Sequence, residues 1–189
     1  MSREATSTGL GRALAHEVIA DGARLIATAR DTATLDGLVA LAPDRVRAVA
    51  LDVTDPTAVR DAVDTALKEF GRIDVLVNNA GDALRGAIEE LSDTELRRQF
   101  DTNVFGALDV TRAALPTMRA QRSGCIVQMS SVGGVLDTLG GSAYAGTKFA
   151  LEGLSEGLAI LSWILSRNPI RNTSRHDSRR ASAPRRWDS

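Results

Sequence analysis

Residues 73–81, IDVLVNNAG, place a short apolar run directly before two asparagines, an alanine and a glycine. An apolar run of this length, bounded by turn-forming residues, predicts a buried β-strand over 73–78. Three other runs have the same character, namely ARLIATA (23–29), VRAVAL (46–51) and CIVQMS (125–130). Strands that are apolar on both faces are typical of a parallel sheet with helices on both sides.

The segments between these strands have helical patterns. Asp55 is placed to cap a helix whose first residue is Pro56 and which ends at Gly71. Ser92 and Glu95 form a capping-box pattern at the start of a long helix. The predicted helices cover residues 11–22, 55–71, 92–121 and about 142–161. Alternating strands and helices predict an α/β fold with a doubly wound, Rossmann-like parallel sheet, whose ligands bind at the carboxyl ends of the strands.

The single tyrosine, Tyr144, lies on the last predicted helix, and Lys148 follows it by one turn. Lysine is rare in this chain, because only two of its 23 basic residues are lysines. Residues at i and i+4 share a helix face, so the phenol and the ammonium can meet. A phenol has a pKa of about 10 in water, and a nearby positive charge favours the phenolate. With Ser131 at the end of the 125–130 strand, the pair predicts a general acid/base site.

These residues resemble the short-chain dehydrogenase/reductase family. Its signatures are a YxxxK pair, here at 144–148, a serine 13 residues before the tyrosine, here Ser131, and an NNAG turn, here 78–81. Asn103, in DTNVFGA, matches the asparagine that completes the family's tetrad. The resemblance runs from about residue 6 to residue 159. Within this range, the sequence is similar to the branch of the family that contains retinol and 17β-hydroxysteroid dehydrogenases.

The resemblance implies an NAD(P)-dependent oxidoreductase that interconverts a carbonyl and a secondary alcohol. Tyr144 would donate the proton to the carbonyl or act as the base in the reverse direction, and Ser131 would hydrogen-bond the carbonyl oxygen. Lys148 would bind the nicotinamide ribose and tune Tyr144. Asn103 would hold a water in the proton relay. The hydride chemistry belongs to the cofactor.

The family's glycine-rich turn, TGxxxGxG, is matched in its last two glycines. Gly9, Leu10 and Gly11 precede a predicted helix whose N-terminus can approach a pyrophosphate. Glu4 and Ala5 stand where a threonine and the first glycine are expected, which makes the tight turn less secure.

Arg30 follows the 23–29 strand, where an arginine suits the 2′-phosphate of NADP. The resemblance therefore favours NADP(H) over NAD(H), although Asp31 could offset the arginine. Asp52 and Val53 match the family's adenine-side positions, with a loop cap as the other interpretation of Asp52. The remaining cofactor-binding residues implied by the family are Asn79, Ala80, Gly81, Tyr144 and Lys148.

The sequence departs from the family at both ends. No strand is expected before residue 6, because MSREA is short and polar, although the first strand of such a sheet is central. Beyond about residue 159, the expected later strands and substrate lid are missing. The fold is therefore predicted to be incomplete. Residues 1–159 form a Rossmann-like nucleotide-binding and catalytic domain, and residues 160–189 form a basic, disordered tail without a strand.

The tail carries seven arginines against two aspartates, whereas the whole chain has a net charge of −1. Three interpretations are open. It is a nucleic-acid or membrane arm, a solvated extension, or the product of a shifted reading frame or recombined gene end. The abrupt change of composition favours the last. The alternative function is a catalytically silent remnant that binds nucleotide weakly or only associates with an intact relative.

Composition indicates one soluble domain, with 43% hydrophobic and 25% charged residues. A single cysteine, Cys125, fits a reducing compartment, and no signal peptide or long apolar run is present. We expect a cytoplasmic protein with a small-molecule carbonyl or alcohol substrate, no nucleic-acid or membrane partner, and no metal. His16 and His176 stand apart from any ligand cluster. The resemblance also implies a homo-oligomer formed through the helices that hold Asn103 and Tyr144.

Overall fold

In the computed structural model of this chain, the described residues are Thr6, 9–137, 139–165 and 171–173. The strands of this part are β1 Leu25–Ala29, β2 Val46–Ala50, β3 Val75–Asn78, β4 Cys125–Gln128 and β5 Arg171–Thr173. The α-helices are α1 Gly9–Ala20, α2 Asp36–Leu41, α3 Pro56–Phe70, α4 Asp93–Phe100, α5 Ala107–Gln121 and α6 Ser142–Leu165. The strands and helices alternate as the sequence predicted.

All the strand pairs are parallel, which confirms the doubly wound α/β class. β1 pairs with β2 in a register that joins Leu25 to Val46, and β4 lies between β3 and β5. Cys125 is opposite Val75 on one side of β4 and opposite Arg171 on the other. The carboxyl ends of β3 and β4 are therefore neighbours, and the predicted catalytic segments follow them directly.

The strands of the described residues form two separate sheets, β1–β2 and β3–β4–β5. Within this part of the chain, β1 and β3 do not pair. The backbone N–H of Thr28 in β1 instead donates to Oγ1 of Thr6, at 3.3 Å. Among the described residues, the sheet is thus divided at the position that the sequence marked as lacking a central strand.

The prediction that the tail contains no strand is wrong at β5, which pairs with β4 in parallel. Its three residues show no apolar pattern, because a strand at a sheet edge is held by backbone hydrogen bonds that any residue can make. Helix α6 also continues four residues beyond the predicted end, to Leu165. The predictions for residues 166–170 and 174–189 lie outside the described residues, as do Glu4, Ala5 and His176.

The helix ends follow the predicted caps. The side chain of Asp55 accepts a hydrogen bond from the Thr57 N–H at 2.8 Å, and Gly71 ends α3 in the left-handed region with φ of 72°. Ser92 and Glu95 form both halves of the capping box of α4. Helix α2 was not predicted, because six residues are too few to show a helical period.

The long helix predicted over 92–121 is interrupted. Residues Asp101–Gly106 form a π-helical turn between α4 and α5, and Asn103 lies within it. A Cβ placed on Gly106 would come within 2.6 Å of Val53 Cγ2, so the turn packs closely against the segment after β2. Such turns are common at functional sites, because they re-aim side chains out of a regular helix.

Two apolar clusters hold the helices on the strands. One packs α1 and α2 against β1 and β2 and includes Ile19, Leu35 and Leu38. The other centres on Met118 of α5 and Ile126 of β4, both fully buried. No helix in the described part of the chain has both the length and the apolar character needed to cross a membrane.

Candidate active site

Tyr144 and Lys148 lie on one face of α6, near its N-terminus. Lys148 Nζ is 5.6 Å from the centroid of the Tyr144 ring. The lysine is only 6% exposed, and its ammonium donates a hydrogen bond to the Met129 carbonyl at 2.7 Å. The helix thus holds a buried cation beside the phenol, as the i, i+4 spacing requires.

The environment acts on Lys148 in two opposing ways. Burial lowers the pKa of Lys148 below the ordinary lysine value, and the negative charge of Glu152 partly raises it. Burial has the larger effect, because removing an ammonium from water disfavours its charged form. The ammonium therefore loses its proton at a lower pH than an exposed lysine does.

Ser131 is brought to the tyrosine by a tight turn after β4. It caps the 3₁₀ turn Val132–Gly134, and its Oγ accepts a hydrogen bond from the Gly133 N–H at 3.2 Å. A Cβ placed on Gly133 would lie 3.3 Å from Cδ1 and Cε1 of Tyr144. The turn that carries Ser131 thus packs directly on the tyrosine ring.

Asn103 connects the segment after β3 to α6. The residue is 1% exposed. Its side-chain amide donates to the Asp82 carbonyl at 2.9 Å and to Thr147 Oγ1 at 3.1 Å, while its oxygen accepts from the Asp82 N–H at 2.9 Å. A Cβ placed on Gly81 would lie 3.0 Å from Asn103 Oδ1 and 3.9 Å from Lys148 Nζ. The backbone at Gly81 therefore approaches both side chains, and a larger residue there would press on Asn103.

The first asparagine of NNAG has a structural role. The side-chain amide of Asn78 donates to the Ala107 carbonyl, Thr111 Oγ1 and Gln128 Oε1 at 2.9–3.2 Å. Gln128 in turn donates to Thr111 at 3.3 Å. This buried network ties β3, β4 and α5 together. Sequence reasoning missed Thr111 and Gln128, because a polar residue inside a strand or helix pattern does not reveal its partner.

The predicted cofactor residues lie at the N-terminus of α1 and after β1 and β2. Gly9 begins α1 with φ of +59°, and no atom of the described residues lies within 4 Å of where its Cβ would be. Leu10 is exposed and Gly11 is buried against the fold. An open helix N-terminus with a left-handed glycine fits the close approach of a phosphate. Asn79 and Ala80, the other predicted contacts, follow β3 directly.

The acidic residues near Arg30 are engaged with the backbone. Asp31 accepts from the Ala33 N–H at 3.0 Å and so caps the 3₁₀ turn Thr32–Leu35. Asp52 accepts from both the Oγ1 and the N–H of Thr54, and these two bonds lower the pKa of Asp52. The loop-cap interpretation of Asp52 is therefore correct, and its adenine contact stays a prediction. The Arg30 charge also lowers this pKa, though less.

The arrangement fits a nicotinamide dinucleotide. Lys148 uses one of its three N–H donors on the Met129 carbonyl, which leaves two for ribose hydroxyls. Gly81 lies beside that ammonium, in the NNAG segment whose residues the cofactor would contact. Within the described residues, no group of three His, Cys, Asp or Glu side chains is placed to hold a metal ion.

The chain is similar to oxidoreductases from fungi and bacteria. It is 43% identical over 155 residues to "Oxidoreductase BOA17" of Botryotinia fuckeliana, covering 82% of this chain and 57% of that protein. It is 38% identical over 154 residues to "3-ketodihydrosphingosine reductase" of Bacteroides thetaiotaomicron, covering 82% and 55%. The chain thus spans just over half the length of these curated relatives.

Solved structures show the same fold. A short-chain dehydrogenase from Streptomyces avermitilis has 48% identity and a TM-score of 0.84, with 88% of this chain and 61% of that chain covered. A metagenomic short-chain oxidoreductase in complex with NADP has 28% identity and a TM-score of 0.81, with 89% and 76% covered. A Burkholderia phymatum enzyme of this family in complex with NAD has 28% identity and a TM-score of 0.84, with 89% and 61% covered.

These similarities confirm the family but not the branch containing retinol and 17β-hydroxysteroid dehydrogenases, which stays a prediction. The family model described as "short chain dehydrogenase" matches residues 5–161, most of the chain. The matched span contains all four tetrad positions and the NNAG segment. The chain belongs to the short-chain dehydrogenase/reductase family.

Proposed function

We propose that this chain is an NAD(P)-dependent oxidoreductase that interconverts a carbonyl and a secondary alcohol. The observation that carries the proposal is the environment of the Tyr144 ring. It lies beside the buried Lys148 ammonium and under the turn that begins at Ser131. A phenol, an ammonium and a hydroxyl at the carboxyl end of a parallel strand are the groups that proton transfer to a carbonyl oxygen needs.

Tyr144 is the proposed general acid in reduction and the general base in oxidation. Ser131 Oγ accepts from the Gly133 N–H, which leaves its own O–H available to donate to a carbonyl oxygen. Lys148 orients the ribose and holds positive charge beside the phenol. A bound nicotinamide would supply or accept the hydride.

Asn103 is the proposed support of the proton path. Its three hydrogen bonds join it to the Asp82 backbone and to Thr147 on α6, so the asparagine is held firmly. Its oxygen keeps one unused lone pair that a water can occupy. We infer that the water of the relay binds on this side of Lys148.

NADP(H) is the proposed cofactor. Arg30 supplies a guanidinium where a 2′-phosphate would lie, and Asp31 caps the backbone at Ala33. Related structures hold either NADP or NAD, so the preference has to come from residues of this chain.

The substrate is proposed to be a small molecule with an apolar substituent. Val132, Val135 and Leu136 follow Ser131 directly, and each is more than half exposed. They would line the side of the site that the substrate enters. The relative from Bacteroides thetaiotaomicron is named for a ketone with a long apolar chain, which agrees with this proposal.

A catalytically silent protein is the second candidate function. The separation of β1 from β3 among the described residues favours it, since a divided sheet under the cofactor would weaken the site.

A location in the cytoplasm and self-association stay predictions. Phe105 and Phe149, each about half exposed on the π-helical turn and α6, support an interface there.

The test is reduction of ketones by the purified chain. NADPH and NADH are supplied with a panel of aliphatic and aromatic ketones, and loss of reduced nicotinamide absorbance is followed. We expect consumption that depends on the ketone. The proposal would be contradicted if the chain turned over no ketone and, with the oxidised cofactors, no secondary alcohol. The catalytically silent protein would then be the remaining candidate.

A further inference from the structure

Glu152 has no part in the mechanism above, although it lies one turn beyond Lys148 on α6. The two side chains share a helix face. Glu152 is half-buried, and its Oε1 is buried without a hydrogen-bond partner in the described part of the chain. A buried carboxylate oxygen is costly unless a donor or a positive charge compensates it.

Ser130 is placed to supply the donor. Its Oγ is also buried and has no partner among the described residues. A Cβ placed on Gly134 would lie 2.7 Å from Ser130 Oγ and 3.1 Å from Glu152 Cγ. The hydroxyl and the glutamate side chain therefore flank the same point. The unpartnered hydroxyl and the unpartnered carboxylate oxygen thus belong to side chains that meet the same glycine.

Lys148 is placed to supply the charge. Its ammonium is buried, and the Met129 carbonyl that accepts its hydrogen bond is neutral. The Cβ placed on Gly134 would also lie 3.3 Å from the Lys148 carbonyl oxygen. The Glu152 side chain therefore packs beside the turn of α6 that begins at Lys148. The charge of Glu152 opposes the effect of burial on the pKa of Lys148.

The other described elements around the ammonium bring one further carboxyl, that of Asp82, and otherwise neutral groups. The π-helical turn brings the neutral amide of Asn103, and the 3₁₀ turn Val132–Gly134 has no ionisable side chain. The NNAG segment brings Gly81, followed by the carboxyl of Asp82. On α6 itself, the ionisable neighbour besides Glu152 is Tyr144.

We propose that Glu152 is a positioning residue whose carboxylate, anchored by Ser130, is the countercharge that keeps Lys148 an ammonium beside Tyr144. The catalytic meaning of this inference rests on the proposed function. The charge of Lys148 itself, however, can be measured without turnover. Removing the negative charge of Glu152 should shift the deprotonation of Lys148 to lower pH, because nothing then offsets its burial.

The chain is well suited to this measurement, because Lys148 and the exposed Lys68 are its two lysines. Protein labelled with ¹³C-lysine gives two Cε signals, which Lys68→Arg assigns. We expect the titration midpoint of Lys148 to fall by about one pH unit in Glu152→Gln. The midpoint of Lys68 should stay unchanged.

Matched variants make the outcome decisive. Glu156→Gln removes an exposed carboxylate one turn further along α6 and should leave the Lys148 midpoint unchanged. Glu152→Asp, which keeps the charge on a shorter side chain, should give an intermediate shift and serves if Glu152→Gln does not fold. An unchanged midpoint in the folded Glu152 variants would overturn the inference, as would an equal fall of the Lys148 midpoint in Asp82→Asn.

If the chain has turnover, the alkaline limit of its activity should move with the Lys148 midpoint. If the chain has no turnover, the proposed function is contradicted, whereas the inference about Glu152 is still tested by the titration.

Discussion

At the scale of single residues, the site depends on which groups stay charged and which can move a proton. Lys148 is buried, yet it keeps a hydrogen bond to the Met129 carbonyl. Tyr144 contacts the turn that carries Ser131. The YxxxK spacing predicted this pair, since residues four apart on a helix must share a face. Two predictions belong to this scale.

Tyr144→Phe should reduce turnover at least about 100-fold, because the proposed proton donor is lost. Cofactor affinity should stay nearly unchanged, since Lys148 and the backbone at Gly81 remain. Lys148→Ala should weaken both turnover and cofactor binding. Steady-state kinetics and cofactor titration by fluorescence measure the two effects. A Phe variant with full activity would show that another group is the acid.

Arg30→Asp should move the cofactor preference from NADP(H) towards NAD(H). A carboxylate at this position repels a 2′-phosphate and accepts a hydrogen bond from a 2′-hydroxyl. We expect the ratio of kcat/KM values for the two cofactors to change by at least about tenfold, equivalent to about 1.4 kcal/mol. Arg60→Asp, on the exposed side of α3, is the control. An unaltered ratio would exclude a contact between Arg30 and the 2′-phosphate.

At the scale of elements, close packing at glycines determines how the turns meet the helices. Gly134 leaves space for Ser130 and Glu152, and Gly106 leaves space for Val53. The π-helical turn places Asn103 where its amide reaches both Asp82 and Thr147. Hydrophobic periodicity predicted a single helix there, because a local pattern does not record an inserted residue.

Gly134→Ala should destabilise the protein by about 1–3 kcal/mol, because the new methyl group meets Ser130 Oγ and the Lys148 carbonyl. Gly153→Ala is the matched control. No atom lies within 4 Å of its Cβ position, and it is exposed on α6. It should be stabilising by about 0.5–1 kcal/mol, because alanine favours a helix. Urea unfolding followed by circular dichroism measures both. Equal effects of the two substitutions would contradict the packing at Gly134.

At the scale of the whole molecule, the arrangement of the two sheets decides whether a cofactor site is complete. Among the described strands, β3 and β4 place the proposed catalytic segments side by side, whereas β1 and β2 carry the predicted cofactor-side residues in a separate sheet. A dinucleotide that bound across both would link them.

NADPH should raise the melting temperature of the protein, and it should do so more than NADH at the same concentration, because NADP(H) is the proposed cofactor. A ligand at 100 times its dissociation constant adds about 2.7 kcal/mol to the free energy of unfolding. Differential scanning fluorimetry with each cofactor, and with ATP as a control nucleotide, measures the effect. A shift with ATP equal to that with NADPH would indicate binding of adenine nucleotide without the nicotinamide. No shift with either dinucleotide would contradict the cofactor proposal.

Much of the fold and site could be predicted because the signals are local. The strand cores, the Asp55 cap, the capping box at Ser92 and the Tyr144–Lys148 spacing each depend on residues close together in the chain. The exceptions are also informative. Helix α2 is too short to show a period, and β5 is held by backbone pairing alone.

The amino-acid sequence by itself determined the α/β alternation, the helix caps and the family, because periodicity, capping and motif spacing are read along the chain. Only the tertiary structure decided that β1 and β3 stay unpaired among the described residues, that Asn78, Thr111 and Gln128 form a network, and that Ser130 and Glu152 both pack at Gly134. These features depend on contacts between residues far apart in sequence. Such contacts exist only when the chain has packed and every buried polar group has to find a partner.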